Sequence, residues 1–165
     1  MANQADETVK APFTSFNFSV EINVPGVAPK VCNAAFSDCD GLEMTMDVKT
    51  IREGGNNGKQ HRLTGPLNFG TLTLKRGMTE NFDLWHWLNQ VLLDPSLRAD
   101  AEVVLLSEAR KRKEGETDSE PIPRARFQLS RCVPVKLKAP VMNAKDGGVA
   151  IEELQLAYES LSLKE

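Results

Sequence analysis

The stretch from Leu42 to Lys75 constrains this chain more than any other. LEMTMDVKTI alternates apolar with polar residues, REGGNNGKQHRLTG follows, and PLNFGTLTLK ends in alternation again. A period of two places successive side chains on opposite faces of a strand, and Gly and Asn accept the positive φ that a reversal needs. The stretch therefore reads as an extended β-hairpin. Leu42, Met44, Met46 and Val48, with Leu72 and Leu74 on the return, form a dry face expected to meet the core. Glu43, Thr45, Asp47 and Lys49, with Thr71, Thr73 and Lys75, form a wet one. Gly65-Pro66 marks the end of the excursion. The connector from Arg52 to Thr64 is polar on both faces through Gln60, His61 and Arg62, and cannot bury itself on its own domain.

The rest of the chain supplies a body for this hairpin. At 165 residues it suits a single domain, 1–165, with one sizeable core. Residues 1–12 are small and polar and read as a loose arm. Phe16, Phe18, Val20, Ile22 and Val24 alternate with polar residues as a strand with one core face, ending at Pro25-Gly26. Val31 to Phe36 is a short strand closed by the turn cluster Ser37 to Gly41. Arg76-Gly77 breaks the strand that follows the hairpin. Thr79 then suits a helix N-cap, with Glu80 and Asp83 in the first turn. Phe82, Trp85, Leu88 and Leu92 recur at helical spacing, widened by Leu84, Trp87 and Val91, with one Trp in the core and one half-exposed. AEVVLL at 101–106 reads as a buried strand, and 110–120, RKRKEGETDSE, as a solvated charged loop. Phe127, Leu129, Val133, Val135 and Leu137 share one parity, with Pro134 confining that strand to an edge or bulge. Leu154, Leu156 and Tyr158 point inward before the parity switches to Leu161 and Leu163, which implies one extra residue near Glu159-Ser160. The sum is a mainly β fold: an antiparallel barrel or sandwich of about six or seven strands with one amphipathic helix.

Catalytic chemistry finds no foothold. His61 and His86 lack ligand or triad spacing, and Gly54 to Gly58 lacks the Lys and following helix of a phosphate loop. Carboxylate pairs such as Asp38/Asp40 and Glu152/Glu153 read as solvated faces among 23 acidic residues. Cys32, Cys39 and Cys132 are odd in number and lack C-x-x-C spacing, so they read as buried or half-buried thiols. A net charge of -3 argues against a nucleic-acid footprint. No stretch approaches the run of about 18 apolar residues that a membrane span needs, and the N-terminus has no signal-peptide pattern. No cofactor or metal is expected, nor an enzyme. The long hairpin, the arm and the polar strand faces instead call for pairing in an oligomer.

F-x-F-x-V-E-I at Phe16 to Ile22, D-G-L-E at Asp40 to Glu43 and I-R-E-G-G-N at Ile51 to Asn56 come first in a longer series. L-x-G-P-L-N-F-G-T-L-T-L-K-R-G at Leu63 to Gly77, L-W-H-W-L at Leu84 to Leu88 and E-E-L-x-L-A-Y-E-S-L at Glu152 to Leu161 complete it. Together these resemble the inner-tube proteins of contractile phage tails and phage-tail-like injection systems, with Hcp proteins of type VI secretion as more distant relatives.

The resemblance implies a homo-hexameric ring that stacks into a hollow tube inside a contractile sheath. It implies sheath, baseplate or spike, and terminator proteins as partners, with protein cargo in the lumen. The wet face (Glu43, Thr45, Asp47, Lys49, Thr71, Thr73, Lys75) would line the channel. Arg52, Glu53, Gly54, Gly55, Asn56, Asn57, Gly58, Lys59, His61 and Arg62 would meet the next ring. The helix would face the sheath through Glu80, Asp83, His86, Asn89 and Gln90. Synthesis in a bacterial cytoplasm and assembly into a particle go with it. The alternatives are a tube-initiating, baseplate-proximal or Hcp-like secreted form, and a monomeric β-barrel that holds a small apolar ligand in its interior.

Overall fold

A computed structural model describes residues 13–25, 32–34, 36–52, 54–55, 58–107, 121–145 and 147–164. The arm 1–12, Glu53, Asn56, Asn57 and the charged loop 110–120 lie outside the described residues. The elements in order are β1 (Phe18–Asn23), β2 (Cys32–Ala34), β3 (Asp38–Asp40), β4 (Met44–Arg52), β5 (Gln60–Phe69) and β6 (Thr71–Gly77). After them come α1 (Asp83–Leu93), β7 (Ala99–Leu106), β8 (Pro123–Lys138), β9 (Ile151–Ala157) and β10 (Ser160–Lys164).

The body is one antiparallel sheet in the order β2-β1-β7-β8-β9-β6-β3, with β10 also beside β8. β8 is long enough to serve two neighbourhoods. Its first half pairs with β7 and β10, and its second half with β9. The sheet folds over along it, so that Val20, Ile22 and Val103 from one side join Leu72, Leu74, Leu154 and Leu156 from the other in one buried cluster. Leu84 and Trp87 of α1 complete that cluster. Trp87 is the buried tryptophan and Trp85 the half-exposed one.

Several expectations give way here. The strand count is higher than six or seven, because the turn cluster holds β3 and the hairpin region holds three strands. Gly65-Pro66 does not end the excursion; it lies inside β5, opposite Asp47, where the ladder slips between Met46 and Val48. Gln60 to Thr64 likewise pair with Val48 to Arg52 rather than forming an unpaired connector. β6 runs through Arg76, which is buried, instead of breaking there. Thr79 is not the N-cap: α1 begins at Asp83 after Phe82, whose side chain makes no cap bond. Asn81 Oδ1 accepts the Asp83 N–H instead, and Thr79 Oγ1 accepts that of Asn81. Phe16, Phe82, Leu92 and Val135 are exposed rather than inward.

The parity switch near Glu159 has a different cause from an inserted residue. Val133 pairs with Ala157 and Ser130 with Ser160, so the register of β8 against β9 and β10 is unbroken. Both strands shift alternation together: Leu129 is buried and then Cys132 and Pro134, while Leu156 and Tyr158 are buried before Leu161 packs. Arg131, at φ 55, absorbs the shift in β8. Pro134 does sit at a bulge, where the ladder slips before Lys136.

Candidate functional site

β4 and β5 form a two-stranded sheet of their own, apart from the body. Their residues opposite one another share a face, so Met44 with Phe69 and Met46 with Leu67 define one side and Thr45 with Asn68 the other. Phe69 packs on the core, as does Leu42. The dry side of the hairpin is therefore turned the way of the core, as the alternation foretells, but it does not reach it. Met44, Met46, Val48 and Leu67 stand 55%, 51%, 59% and 45% exposed. The expectation that these residues meet their own domain's core fails because the ribbon rises past the end of the body sheet. Met44, Met46 and Phe16 do not fill the interior; Ile22, Leu74, Leu156 and Trp87 do.

A lone two-stranded ribbon is marginal in water, and an apolar face on it marks a surface that something else covers. The wet side is polar along its first half. Thr45, Asp47 and Lys49 are exposed, and Asn68 Nδ2 donates to Asp47 Oδ2 at 3.2 Å. Thr71 is exposed and Thr73 and Lys75 half-buried on the body. Toward the tip, Arg52, Gly54, Gly55, Gly58, Lys59, His61 and Arg62 are exposed, with Gly55 at φ 92 in the turn.

The root of the hairpin is held by three unlike devices. The ladders on either side of it keep one register: Asp40 faces Thr73 below and Met44 faces Phe69 above, with three residues between on each strand. Gly70 N–H donates to Glu43 O across this gap at 3.2 Å. Glycine is required at one position of the root and leaves room for the Glu43 side chain at a second. Gly41 has φ 94, and a Cβ there would lie 2.0 Å from Thr71 O; a Cβ on Gly70 would lie 2.4 Å from Glu43 Cγ. From β9's end, the Tyr158 hydroxyl accepts the Glu43 N–H at 3.1 Å and faces Gly41 O and Glu43 O at 2.9 and 3.0 Å. The Tyr158 ring tilts against Phe69, centroids 5.7 Å apart.

Behind the root, α1 is tied to the sheet by a buried charge. Arg76 and Glu152 sit opposite each other in the β6–β9 ladder and are 4% and 1% exposed. Arg76 Nε donates to Glu152 Oε1 at 2.6 Å, Nη1 to Cys32 Sγ and Nη2 to Asn81 O at 3.3 Å each. Trp85 Nε1 donates to Glu152 Oε2 at 3.1 Å. Glu152 is thus no part of a solvated acidic pair. The far side of α1 presents His86, Asn89 and Gln90 to solvent, while Asp83 is half-buried and Glu80 precedes the helix.

Burial pushes the Cys132 thiol up to about 12 and that of Cys39 up to about 11, and raises that of Cys32 despite the Arg76 guanidinium. These are inert thiols. An apolar cleft between Phe18, Cys39, Leu42, Val103, Leu105 and Phe127 measures about 140 Å³, and a wider one along Met78, Val141, Met142 and Val149 about 630 Å³. The second is a groove beside the segment that precedes β9, not the interior of a barrel, whose core is filled by Ile22, Leu72, Leu74, Leu154 and Leu156. Among the described residues no helix is long and apolar enough to cross a membrane.

The roles of Tyr158, Arg76 and Glu152 escape a reading of the sequence, although a signal for the ion pair exists. Arg76 shares parity with Leu72 and Leu74, and Glu152 with Leu154 and Leu156, so both charges stand on inward positions.

Comparison with known proteins gives a consistent picture. The family model of the T4-like virus tail tube protein gp19 matches residues 14–162. A chain in the cryo-EM structure of the anti-feeding prophage (AFP) baseplate, 6-fold symmetrised, is 26% identical at a TM-score of 0.79, over 94% of this chain and 97% of that one. A chain of the PVC sheath-tube complex, an extracellular contractile injection system in its extended state, shares the fold at 19% identity and a TM-score of 0.73, over 99% of each chain. A type six secretion system protein shares it at 11% identity and a TM-score of 0.50, over 89% of this chain and 83% of that one. No curated protein sequence matches.

Proposed function

The chain belongs to the T4-like virus tail tube protein gp19 family, which makes it a structural subunit of a contractile tail-like tube, and we propose that six copies close a ring through the β4–β5 hairpin. The observation that carries this is the exposed dry face of Met44, Met46, Val48 and Leu67 on a ribbon with no partner strand among the described residues of the body. In the ring, that face lies on the neighbouring subunit and the ribbon's open edges are paired, which removes both liabilities at once. The wet face of Glu43, Thr45, Asp47, Lys49, Thr71, Thr73 and Lys75 then lines the lumen. Its mixed charge suits a hydrated wall that protein cargo passes without sticking.

Stacking falls to the hairpin's tip. Because Gln60 to Thr64 pair with β4, the part that would meet the next ring is the tip between the paired strands, 53–59, flanked by Arg52, His61 and Arg62. The solvent side of α1, with His86, Asn89 and Gln90 and the adjoining Asp83 and Glu80, faces the sheath. Similar chains come from a baseplate, a sheath-tube complex and a sheath/tube terminator structure, which supports sheath, baseplate or spike, and terminator proteins as partners of the tube here too. The particle assembles without spanning a membrane, its subunits being made in the bacterial cytoplasm, and residues 1–165 act as one structural rather than catalytic domain.

The test is sedimentation and electron microscopy of the wild type beside Met46→Asp/Leu67→Asp. Rings and tubes from the wild type and none from the folded double variant support the reading; tubes from both overturn it. A baseplate-proximal ring is a second reading, favoured by the 26% identity to a chain of the AFP baseplate structure. Labelling of particles along their length speaks for the main tube, and labelling at one end only for the second reading.

A further inference from the structure

Two features of the fold meet at one hydroxyl. The hairpin root shifts its alternation on both strands while keeping register: Leu72 and Leu74 are buried below it, and Leu42 and Phe69 pack on the core above it. A second paired shift of alternation, at Arg131 and Glu159, lies where β8 passes from β10 to β9 with its register kept. It is braced by Glu159 N–H donating to Ser130 O, by Arg131 N–H donating to Asp100 Oδ1, and by Arg131 Nε donating to Glu159 Oε2 at 2.6 Å. Tyr158 and Glu159 lie between β9 and β10, and the side chain of Tyr158, 6% exposed, reaches the other shift.

There its hydroxyl replaces the ladder bonds that the root lacks. The Glu43 N–H finds an acceptor in it, and Gly41 O and Glu43 O share its proton. We propose that Tyr158 is an aiming latch: its hydroxyl sets the angle at which the β4–β5 hairpin leaves the body, and so whether a neighbouring copy can receive the hairpin. The part concerning assembly rests on the ring proposed above; the part concerning direction does not. Without the hydroxyl, the root keeps one bridging bond, Gly70 N–H to Glu43 O. Two glycines cannot restrain the ribbon by themselves, since they are the residues that give it freedom.

Tyr158→Phe removes the hydroxyl and keeps the ring against Phe69. In dilute, unassembled protein, exchange of the Glu43 amide proton should rise roughly tenfold while β9 amides hold steady. Spin labels on Lys49→Cys and Ser162→Cys report the hairpin against the body; the native thiols are buried or half-buried and label slowly. The distance distribution should be narrow in the wild type and broad in Tyr158→Phe. The concentration at which tubes first form should rise by roughly the same factor of ten.

Gly41→Ala disturbs the same root without touching Tyr158, because its φ of 94 disfavours a side chain and its Cβ would lie 2.0 Å from Thr71 O, and it should broaden the distribution likewise. That variant covers the case in which Tyr158→Phe folds poorly. An unchanged Glu43 exchange rate and an unchanged distribution overturn the latch. A broadened distribution with tubes forming at the wild-type concentration overturns its part in assembly. If wild-type protein forms neither rings nor tubes, the ring reading fails instead, and the label distances still decide the latch.

Discussion

At the scale of the residue, Arg76 and Glu152 show what a buried charge does to a fold of this kind. A paired buried charge adds little net stability, but removing one partner strands the other. Arg76→Met is therefore expected to cost about 3–5 kcal/mol, and Arg76→Met/Glu152→Leu to recover most of that, read from urea midpoints. If the single and double variants lose equally, the loss comes from packing and not from the stranded carboxylate. The cysteines give a prediction with a definite sign. Below the ordinary thiol value of 9.0 Cys132 is protonated whether folded or not. Above it the unfolded thiol ionises while the folded one holds its proton to about 12. Stability therefore falls as the pH rises from 9.0 toward 12, and Cys132→Ala should flatten that decline between pH 8 and 10.5. At this scale period-two alternation made Val20, Leu72, Leu154 and Tyr158 legible as inward. It could not tell a buried Arg from a strand-breaking one, because Arg76 is usually at home in water and only the opposite Glu152 makes its burial tolerable.

At the scale of the element, the hairpin separates stability from assembly. Met46→Ser and Leu67→Ser alter side chains half in water already, so each should move the unfolding free energy by no more than about 0.5 kcal/mol. Leu72→Ala or Leu154→Ala, wholly buried, should cost about 2–5 kcal/mol. Comparable losses at both sets would mean that the hairpin packs on its own body. A two-residue turn in place of Gly54 to Gly58 should leave that free energy alone and stop ring stacking, seen as single rings in place of tubes by electron microscopy. Of this element, the two faces from Met44 to Lys49 and the glycine turn were legible in advance, since both follow from alternation and glycine; that Leu63 and Ile51, each 50% exposed, share the face of Lys49 beyond the bulge was not. Its true strands were not. Gly65-Pro66 carries the residue types of a turn, yet here the pair forms a bulge opposite Asp47, and only the facing strand decides between the two. The start of α1 was hidden for a related reason. Thr79 is a good cap by type, but Arg76 holds Asn81 O and keeps the preceding turn out of the helix.

At the scale of the whole molecule, a well-filled body carries a ribbon that its own core cannot cover. Fold class and the need for a partner could be read from the chain, because edge strands and an alternating hairpin state that need locally. Which surfaces meet could not, since Met44, Met46 and Val48 look inward in any alternating pattern and differ from Leu72 only in how far the body extends beneath them. The most direct measurement is a cryo-EM map of the protein assembled at high concentration or with its sheath protein. Stacked six-membered rings are expected, with Met44, Met46, Val48 and Leu67 buried on the adjacent subunit and Thr45, Asp47 and Lys49 facing the lumen. Rings in which that apolar face remains in solvent, or a chain that stays monomeric throughout, would contradict this arrangement.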